Sequence, residues 1–423
     1  MISTKQFIAI DLGSSRISAM AAEMQENGEL KILSEEFKFS DDIKWGIVEQ
    51  PSGAAFKVSE LQKLLQNSAK IPDISMVSVS IGAKSMKHIS VSVSRFIGKP
   101  NIVSESLLDD MLEECRKKSE NADITIFDVI PLYFLLDGKR MDEPVGMKGI
   151  QLTAQYHVIY GNSNIKMELE RCFDRTGIRL EFTPLTVESL SAALLEDEDR
   201  ENGCALINFG ATTTTLAIYF EGALQHLLVV PLGSKNITKD IQELGISEAN
   251  AERLKCLKGV SLERLVENPI YVQIASVDDS AAPVKISTKF LATIIEARLD
   301  EIMQPIFEVI NQFSNSLKAG IILTGGGSKL SNILDFIADK TDINASFGDH
   351  SGWLKNDTPE RFFDPTYAQL IGTIILTDEY RKEHPVEMTI VDPVKGPKIP
   401  KKKPWDKLAD GFINFFGDEN KLN

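Results

Sequence analysis

Two short polar turns in the sequence combine glycine with hydroxyl side chains in the same order. The first reads DLGSSR from Asp11, and the second reads NFGATT from Asn208, 197 residues further along the chain. Glycine lets the backbone come close to a bound group, and main-chain N–H groups and hydroxyls can donate hydrogen bonds to phosphate oxygens. A carboxylate such as Asp11 could also hold Mg²⁺ through a water molecule. Both turns therefore indicate phosphate binding.

Either turn by itself is weak evidence, because a glycine-serine turn between two strands is usually an ordinary connector. The repetition favours the phosphate-binding interpretation. The corresponding pairs are Asp11 and Asn208, Gly13 and Gly210, Ser14 and Ala211, and Ser15 and Thr212. One difference bears on chemistry: the neutral amide of Asn208 contributes no charge to Mg²⁺ and cannot serve as a base.

A third glycine-rich segment, AGIILTGGGSKLSNILDFI at 319–337, runs from an apolar strand into three consecutive glycines. The pattern predicts a helix that starts near Ser328. Gly325, Gly326 and Gly327 would leave room for a flat ring beside the backbone. The alternative is a tight strand-to-helix turn with no ligand.

The elements that must position these turns can be predicted from periodicity. FIAIDLGSSRISAMAAE, from Phe7, alternates apolar and polar residues on both sides of its turn, which predicts a β-hairpin. INFGATTTTLAIY, from Ile207, predicts a second hairpin of the same kind. A chain of 423 residues, 43% of them hydrophobic, can bury a sizeable core and is expected to form two or more domains.

Charge and cysteine usage exclude several classes of function. A formal net charge of −15 disfavours general attraction to nucleic acid or anionic lipid, so any membrane contact must be local. The four cysteines form no C-x-x-C pair, which argues against a zinc cage or a disulfide framework. The amino-terminal residues lack a signal-peptide pattern. These features predict a cytoplasmic protein.

The three glycine-containing segments together resemble the two phosphate motifs and the adenosine motif of the actin, Hsp70 and sugar-kinase superfamily. The resemblance implies an α/β, actin-like two-lobed ATPase fold with duplicated RNase H-like lobes, and ATP with Mg²⁺ as its cofactors. AERLKCLKG at 251–259 resembles the A-E-x-x-K segment that contacts the ribose and adenine in this superfamily. The residues so assigned to the nucleotide are Asp11, Gly13, Ser14, Ser15, Arg16, Asn208, Gly210, Thr212, Thr213, Glu252, Lys255, Gly325, Gly326 and Gly327.

Two of the implied roles have plain structural alternatives. Glu252 and Lys255 would also form an ordinary i,i+3 surface pair on a helix. Glu188 lies about where relatives place a residue that orients attacking water, which would make it the catalytic residue. It could equally be an unremarkable carboxylate on a surface helix.

A longer segment, IPLYFLLDGKRMDEPVGMKGIQLTAQYHVI at 130–159, resembles a pattern of the FtsA family of bacterial cell-division proteins. The resemblance extends from about residue 7 to 375. It implies head-to-tail filaments, binding of the carboxy-terminal tail of the tubulin-like GTPase FtsZ, and recruitment of later division proteins. It also implies a location on the cytoplasmic face of the membrane at the division site.

The resemblance also implies a division of the chain. The expected parts are the first-lobe core at 1–79 and 162–202, its insertion subdomain at 80–161, the second-lobe core at 203–240, the second-lobe insertion at 241–315, a return segment at 316–378, a linker at 379–403 and a tail at 404–423.

The tail, WDKLADGFINFFGDE from Trp405, predicts an amphipathic helix that lies on a membrane surface. A basic segment with six lysines, at 395–407, overlaps the start of this helix, and the inner leaflet is anionic. A helix packed against the protein's own lobes is the alternative. The membrane-facing residues are predicted to be Trp405, Leu408, Phe412, Ile413, Phe415 and Phe416.

The amide at Asn208 stands where the family usually carries Asp, so we expect ATP binding with slow or absent hydrolysis. A further possibility is that Ala211 and Thr212 narrow the pocket so much that no nucleotide binds. Two rival functions belong to the same superfamily: a small-molecule kinase, which would need a catalytic base that the sequence does not reveal, and a pilus-assembly scaffold.

Overall fold

The computed structural model describes residues 5–120, 123–278 and 282–384. The strands are β1 Gln6–Leu12, β2 Arg16–Met24, β3 Leu30–Phe39, β4 Ile43–Lys44, β5 Ile47–Val48, β6 Met76–Val79, β7 Lys87–Ile102, β8 Ile124–Leu136, β9 Lys139–Met141, β10 Lys148–Asn162, β11 Arg179–Phe182, β12 Cys204–Phe209, β13 Thr214–Phe220, β14 Ala223–Val230, β15 Tyr271–Ile274, β16 Val284–Ser287, β17 Gly320–Thr324 and β18 Ala345–Phe347. The α-helices are α1 Pro51–Ser68, α2 Glu105–Ser119, α3 Asn164–Asp174, α4 Thr186–Leu194, α5 Asp197–Asn202, α6 Ser234–Gln242, α7 Glu248–Lys258, α8 Thr288–Phe313, α9 Ile333–Thr341 and α10 Ala368–Glu383.

Two five-stranded sheets share one topology. The first has the order β3-β2-β1-β6-β11 and the second the order β14-β13-β12-β17-β18. In each sheet the first three strands are antiparallel, and the last two run parallel to the central strand. Both predicted hairpins occupy the same place, β1–β2 in one sheet and β12–β13 in the other. The duplication that the sequence predicts is confirmed.

Apolar strands and helices bury a core around each sheet. The middle of the central strand β1 and nearly all of the central strand β12 are buried, as expected for strands covered on both faces. Helices α1 and α10 contact the first sheet, and α8 and α9 belong to the core of the second. Residues 84–162 add a separate antiparallel sheet, β7-β10-β8-β9, which packs with α2 around a smaller core of its own.

The chain returns to the first sheet through α10, which packs on β1 and α4. A Cβ atom at Gly372 would lie only 1.7 Å from the carbonyl oxygen of Ser189, so only glycine permits this close approach of α10 to α4. At the far end of α10, Arg381 donates two hydrogen bonds to the carboxylate of Glu181, at 2.6 and 2.8 Å. This pairing fixes the end of the helix on β11.

Two expected boundaries are wrong. The sequence predicts a linker from residue 379, but α10 continues to Glu383, because its last turns stay in contact with the first lobe through Arg381. The helix expected near Ser328 begins at Ile333 instead. The Ser328 hydroxyl donates to the Gly325 carbonyl at 2.7 Å, and a 3-10 turn occupies Gly326–Lys329. The other domain boundaries stay predictions.

Candidate functional site

The two hairpin turns line one cavity of about 540 Å³. Residues from both sheets and from α4, α6, α7 and α10 line it. The structure brings together fourteen of the predicted site residues there: Asp11, Gly13, Ser14, Ser15, Arg16, Asn208, Gly210, Thr212, Thr213, Glu252, Lys255, Gly325, Gly326 and Gly327. Topology explains this convergence, because both turns lie at equivalent ends of equivalent hairpins.

The first turn is tight, and its acid is held in place. A Cβ atom at Gly13 would lie 2.6 Å from the carbonyl oxygen of Arg16, so the turn leaves no space for a side chain. The Asp11 carboxylate accepts a hydrogen bond from the amide of Gln369 at 2.9 Å. Burial raises the pKa of Asp11 to about 6, although the Arg16 charge and the Gln369 hydrogen bond oppose this rise. Asp11 therefore has a fixed orientation toward the cavity.

Arg16 is fixed as firmly as Asp11. Its guanidinium donates to the Thr366 hydroxyl at 2.8 Å and lies 5.2 Å and 5.6 Å from the ring centres of Phe37 and Tyr367. These are cation–π distances, and arginine is the cation that such contacts with aromatic rings most often involve. A positive charge thus stands permanently at the mouth of the first turn.

The second turn is braced by the start of α6. The backbone N–H groups of Ser234 and Lys235 donate to the carbonyls of Gly210 and Ala211, at 2.9 and 2.8 Å. Those carbonyls would otherwise be left unpaired beside the cavity. Gly210 donates its own N–H to the Thr213 carbonyl at 3.0 Å. The turn is thus closed internally and fixed to the helix.

The three glycines after β17 have different surroundings. A Cβ atom at Gly325 would lie 2.4 Å from the side-chain oxygen of Asn208, and one at Gly327 would lie 2.5 Å from the ring of Phe209. A Cβ atom at Gly326 would meet nothing closer than Thr366, at 3.7 Å. Gly325 and Gly327 therefore pack against the second hairpin, and Gly326 is the position that faces open space.

Lys255 is buried, with 7% of its surface exposed, and all of its donors are engaged. Its ammonium group donates to the Ser234 carbonyl at 3.1 Å, the Thr238 hydroxyl at 2.9 Å and the Glu252 carboxylate at 2.8 Å. An ammonium group has three donors. Lys255 thus joins α7 to α6 and positions Glu252. The carboxylate of Glu252 is the hydrogen-bond acceptor that this pair presents to the cavity.

Glu252 stays ionised in this setting. Burial by itself would raise its pKa, but the Lys255 charge and the hydrogen bonds from Lys255, Thr238 and Cys256 lower it overall. The Thr238 hydroxyl donates to the same carboxylate in a short contact. The plain surface-pair alternative does not describe this arrangement, because Lys255 is buried.

Glu188 is not among the residues that line the cavity, although Thr186, Val187 and Leu190 of the same helix are. Its carboxylate caps α4 by accepting the Leu185 N–H at 2.8 Å and pairs with Asp128 on β8. Burial and then the Asp128 charge raise its pKa well above the ordinary value. The structure does not bring Glu188 together with the phosphate turns.

Other residues of the site are not apparent from the sequence alone. Gln369 and Thr366, which hold Asp11 and Arg16, lie in the stretch DPTYAQLIG, which gives no sign of its partners. Asp128, the partner of Glu188 outside the cavity, lies within a strand and carries no motif. Trp45 contacts the second turn across 167 positions of sequence. No local pattern can reveal such contacts.

The metal and membrane predictions can be placed only in part. Within 5–120, 123–278 and 282–384, no group of three or more His, Cys, Asp or Glu side chains is arranged to hold a metal ion. Over the same ranges, every helix is too short or too polar for a membrane span. The tail residues Trp405, Leu408, Phe412, Ile413, Phe415 and Phe416, and the linker from 385 onward, lie outside the described residues.

Comparison with known proteins connects this architecture to one family. The family model "Cell division protein FtsA" matches residues 205–372, and the model of the SHS2 domain inserted in FtsA matches residues 84–160, which are the β7-β10-β8-β9 sheet and α2. The FtsA of Borreliella burgdorferi is 27% identical over 389 residues, covering 90% of this chain and 93% of that protein. The FtsA of Bacillus subtilis is 27% identical over 359 residues, covering 80% and 77%.

Solved structures confirm the expected fold class. The chain of the PilM–PilN type IV pilus biogenesis complex superposes with a TM-score of 0.64 at 15% identity, covering 88% of this chain and 98% of that one. MreB5 of Spiroplasma citri bound to ADP gives a TM-score of 0.55 at 13% identity, covering 90% and 99%. At such identities these neighbours show the actin-like fold alone. Together with the sequence matches over both lobes and the insertion, they lead to one conclusion: the chain belongs to the FtsA family of bacterial cell-division proteins.

Proposed function

We propose that this FtsA-family chain binds ATP with Mg²⁺ between its two hairpin turns. The observation that carries the proposal is that Gly13 and Gly210, at equivalent positions of duplicated hairpins, line the same cavity. Its volume of about 540 Å³ lies within the usual range for small-molecule sites. The fold neighbour MreB5 is described as bound to ADP and, in a second structure, to AMPPNP.

The residues present fit such a ligand. Backbone N–H groups and hydroxyls of Ser14, Ser15 and Thr213 would hold the phosphates, and Arg16 would add positive charge. Asp11 would hold Mg²⁺ through water, since Mg²⁺ is commonly held by one or two carboxylates together with substrate phosphates. Gly326 would lie against the base. The bound nucleotide would supply a charged group that contacts both lobes at once.

We further propose that hydrolysis is slow or absent. The acidic side chains that line the cavity, among the residues that the structure describes, are Asp11 and Glu252. Asp11 is hydrogen-bonded to Gln369, and Glu252 is paired with Lys255. Asn208 stands at the position equivalent to Asp11 and carries no charge. A water molecule near the terminal phosphate would find no free general base, and a role for Glu188 remains a prediction that this geometry does not support.

The experiment is phosphate release from Mg·ATP by the wild type and by Asn208→Asp. We expect release from the wild type at or near the uncatalysed rate and a clear increase in Asn208→Asp, which restores an acid at this position. Asn332→Asp is a matched control, because Asn332 immediately precedes α9 and does not line the cavity. Rapid release by the wild type that Asn208→Asp leaves unchanged or lowers contradicts slow turnover.

At the cellular level we propose that the protein polymerises and links FtsZ filaments to the inner leaflet of the cytoplasmic membrane, where it recruits later division proteins. Family membership supports this role. The tail 404–423 would provide the membrane contact. Deleting those residues is expected to abolish sedimentation with liposomes while leaving nucleotide binding intact; equal sedimentation of the truncated protein contradicts a membrane-binding tail.

The second-lobe insertion is the proposed site for the FtsZ tail. It presents exposed apolar side chains at Ile270, Tyr271 and Phe290, next to the cations Lys285 and Lys289.

Peptide binding to this surface distinguishes the proposed function from its rivals. Capture of an FtsZ tail peptide by this chain favours the division role, whereas no capture favours a pilus-assembly scaffold. A small-molecule kinase is disfavoured because both cavity carboxylates are already engaged.

A further inference from the structure

The hydroxyl of Thr212 bridges the two lobes. It accepts a hydrogen bond from the backbone N–H of Trp45 at 3.0 Å and donates one to the hydroxyl of Ser14 at 2.8 Å. Trp45 and Ser14 belong to the first lobe, and Thr212 belongs to the turn of the second. We call this pair of hydrogen bonds the Thr212 bridge. It uses the hydroxyl's single proton and also a lone pair.

The first-lobe side of the Thr212 bridge is built rigidly. Trp45 has a φ of 53°, in the left-handed region that a bulky residue rarely adopts. A Cβ atom at the neighbouring Gly46 would lie 1.7 Å from the carbonyl oxygen of Gly82, so the turn between β4 and β5 is pressed against that backbone. Such strain persists only where the surroundings over-determine the conformation. The N–H of Trp45 is therefore held toward the second turn.

Two further contacts join the lobes at the same place. The indole N–H of Trp45 donates to the Pro231 carbonyl at 3.1 Å. The Lys235 ammonium, at the start of α6, lies 2.7 Å from the carboxylate of Asp41. Both partners of each contact are protein groups, so this side of the cleft is closed by the chain itself.

The distance between the two hydroxyls bears on which ligand fits. A phosphate oxygen that accepts from both Ser14 and Thr212 must lie about 2.7 Å from each, which requires the hydroxyl oxygens to stand roughly 4–5 Å apart. In the structure they are 2.8 Å apart. A phosphate oxygen can therefore accept from both hydroxyls at once only if the Thr212 bridge opens, and the hydrogen bonds that it gains replace those that are lost.

We propose that Thr212 is a specificity-determining residue, which holds the lobes together without a terminal phosphate, so that the cleft binds a nucleoside diphosphate at least as tightly as the triphosphate. This inference rests on the proposed nucleotide binding. It deepens that proposal, because it assigns the joining of the two lobes to Thr212 and not to the terminal phosphate of the ligand.

The first test compares Mg·ADP and Mg·ATP affinities of the full chain by calorimetry. For the wild type, the Kd for ADP is expected to equal or fall below the Kd for ATP. Thr212→Ala removes the bridge, so ATP should gain affinity relative to ADP. The Kd for ADP divided by the Kd for ATP should rise about tenfold, which corresponds to roughly one to two net hydrogen bonds. Thr212→Ser keeps the hydroxyl and should match the wild type. An unchanged ratio in Thr212→Ala overturns the proposal.

The second test needs no nucleotide. Hydrogen exchange of the Trp45 backbone amide reports directly on its bond to Thr212. Exchange should be about tenfold faster in Thr212→Ala and unchanged in Thr212→Ser and in the control Thr293→Val, an exposed threonine on α8. Equal exchange in wild type and Thr212→Ala overturns the bridge. If neither of these two proteins binds any nucleotide, the proposed function fails, and the exchange rate alone then decides whether Thr212 joins the lobes.

Discussion

The Nε2 atom of His88 lies 3.3 Å from the Nδ1 atom of His226, across the boundary between the inserted sheet and the second-lobe sheet. His88 is on β7 and His226 on β14. A third ring, that of His157 on β10, has its centre 4.8 Å from that of His88, and its Nδ1 is 3.0 Å from the Leu224 carbonyl oxygen. Three titratable rings thus form part of the contact that positions the insertion on the second lobe.

This cluster predicts a loss of stability in mild acid. Burial, followed by the neighbouring rings His157 and His226, lowers the pKa of His88 from 6.5 to about 4, and the pKa values of His157 and His226 are also lowered, first of all by burial. The unfolded chain therefore binds more protons, so stability falls as the pH drops below about 6.5 and levels off near 4. Near this boundary the guanidinium of Arg140 also pairs with the carboxylate of Glu221.

Urea unfolding at pH 7.5 and pH 5.5 measures this effect. His226→Gln removes one of the rings, so it should lose less stability between the two pH values than the wild type. His384→Gln, at the end of α10 and far from the cluster, is the control and should behave as the wild type. Equal losses in wild type and His226→Gln contradict a role for the cluster.

The buried carboxyl pair predicts the opposite pH dependence. The pKa values of Glu188 and Asp128 are both raised, in each case first by burial. The folded chain therefore keeps protons that the unfolded chain releases, and this contribution to stability is lost as the pH rises through the raised pKa values. Glu188→Gln keeps an acceptor for the Leu185 N–H but removes the charge, so it should lose less stability than wild type between pH 5 and pH 8.

The same unfolding assay tests the pair, with Glu198→Gln on the exposed face of α5 as the matched control. A Glu188→Gln protein whose pH profile follows that of the wild type shows that the two carboxyls do not titrate together in this range. A large loss at every pH would instead show that the cap of α4 needs the carboxylate.

Gly372 predicts a steric limit on the contact between α10 and α4. Gly372→Ala places a methyl group against the Ser189 carbonyl and should destabilise the protein by about 1–3 kcal/mol, the usual cost of overpacking. Gly352→Ala is the control, because no atom lies within 4 Å of its added Cβ. Denaturant midpoints measure both changes; equal midpoints for the two variants contradict close packing at Gly372.

Lys255 predicts a separation between stability and ligand binding. Lys255→Met removes one buried donor from both the Ser234 carbonyl and the Glu252 carboxylate, and should cost about 1–3 kcal/mol in the nucleotide-free protein. The exposed Lys258→Met should cost little. If Lys255→Met weakens nucleotide binding but leaves the nucleotide-free protein equally stable, Lys255 is a direct ligand rather than a positioning residue.

Local patterns in the sequence account for the strands and for the convergence of the turns. Alternating residues around Gly13 and Gly210 predict both hairpins, and duplication then places their turns at equivalent ends of two sheets. The helix predicted at Ser328 fails for a local reason: that hydroxyl closes a 3-10 turn, which periodicity does not register. A hydrogen bond from a serine hydroxyl to a nearby backbone carbonyl can thus outweigh the preference of serine for the first position of a helix.

Contacts between distant segments could not be predicted. Trp45 and Thr212 meet only because the two lobes pack together, and nothing near either residue encodes the other. The saturation of Lys255 by three acceptors depends on how α6 crosses α7. Glu188 shows the same limit. Its position in the chain predicts a place at the cavity, but its partner in the structure is Asp128, on a strand of the insertion.

The most direct measurement of the central claim is calorimetric titration of the full chain with Mg·ATP, for the wild type and for Gly326→Phe. Gly326 is the glycine of its group that faces open space, so a benzyl group there would occupy part of the cavity without disturbing the packing at Gly325 and Gly327. The wild type should bind one nucleotide per chain, and Gly326→Phe should lose binding while unfolding at the same denaturant concentration. A wild type that binds no nucleotide, or a folded Gly326→Phe that binds it equally well, would contradict a nucleotide held between the two turns.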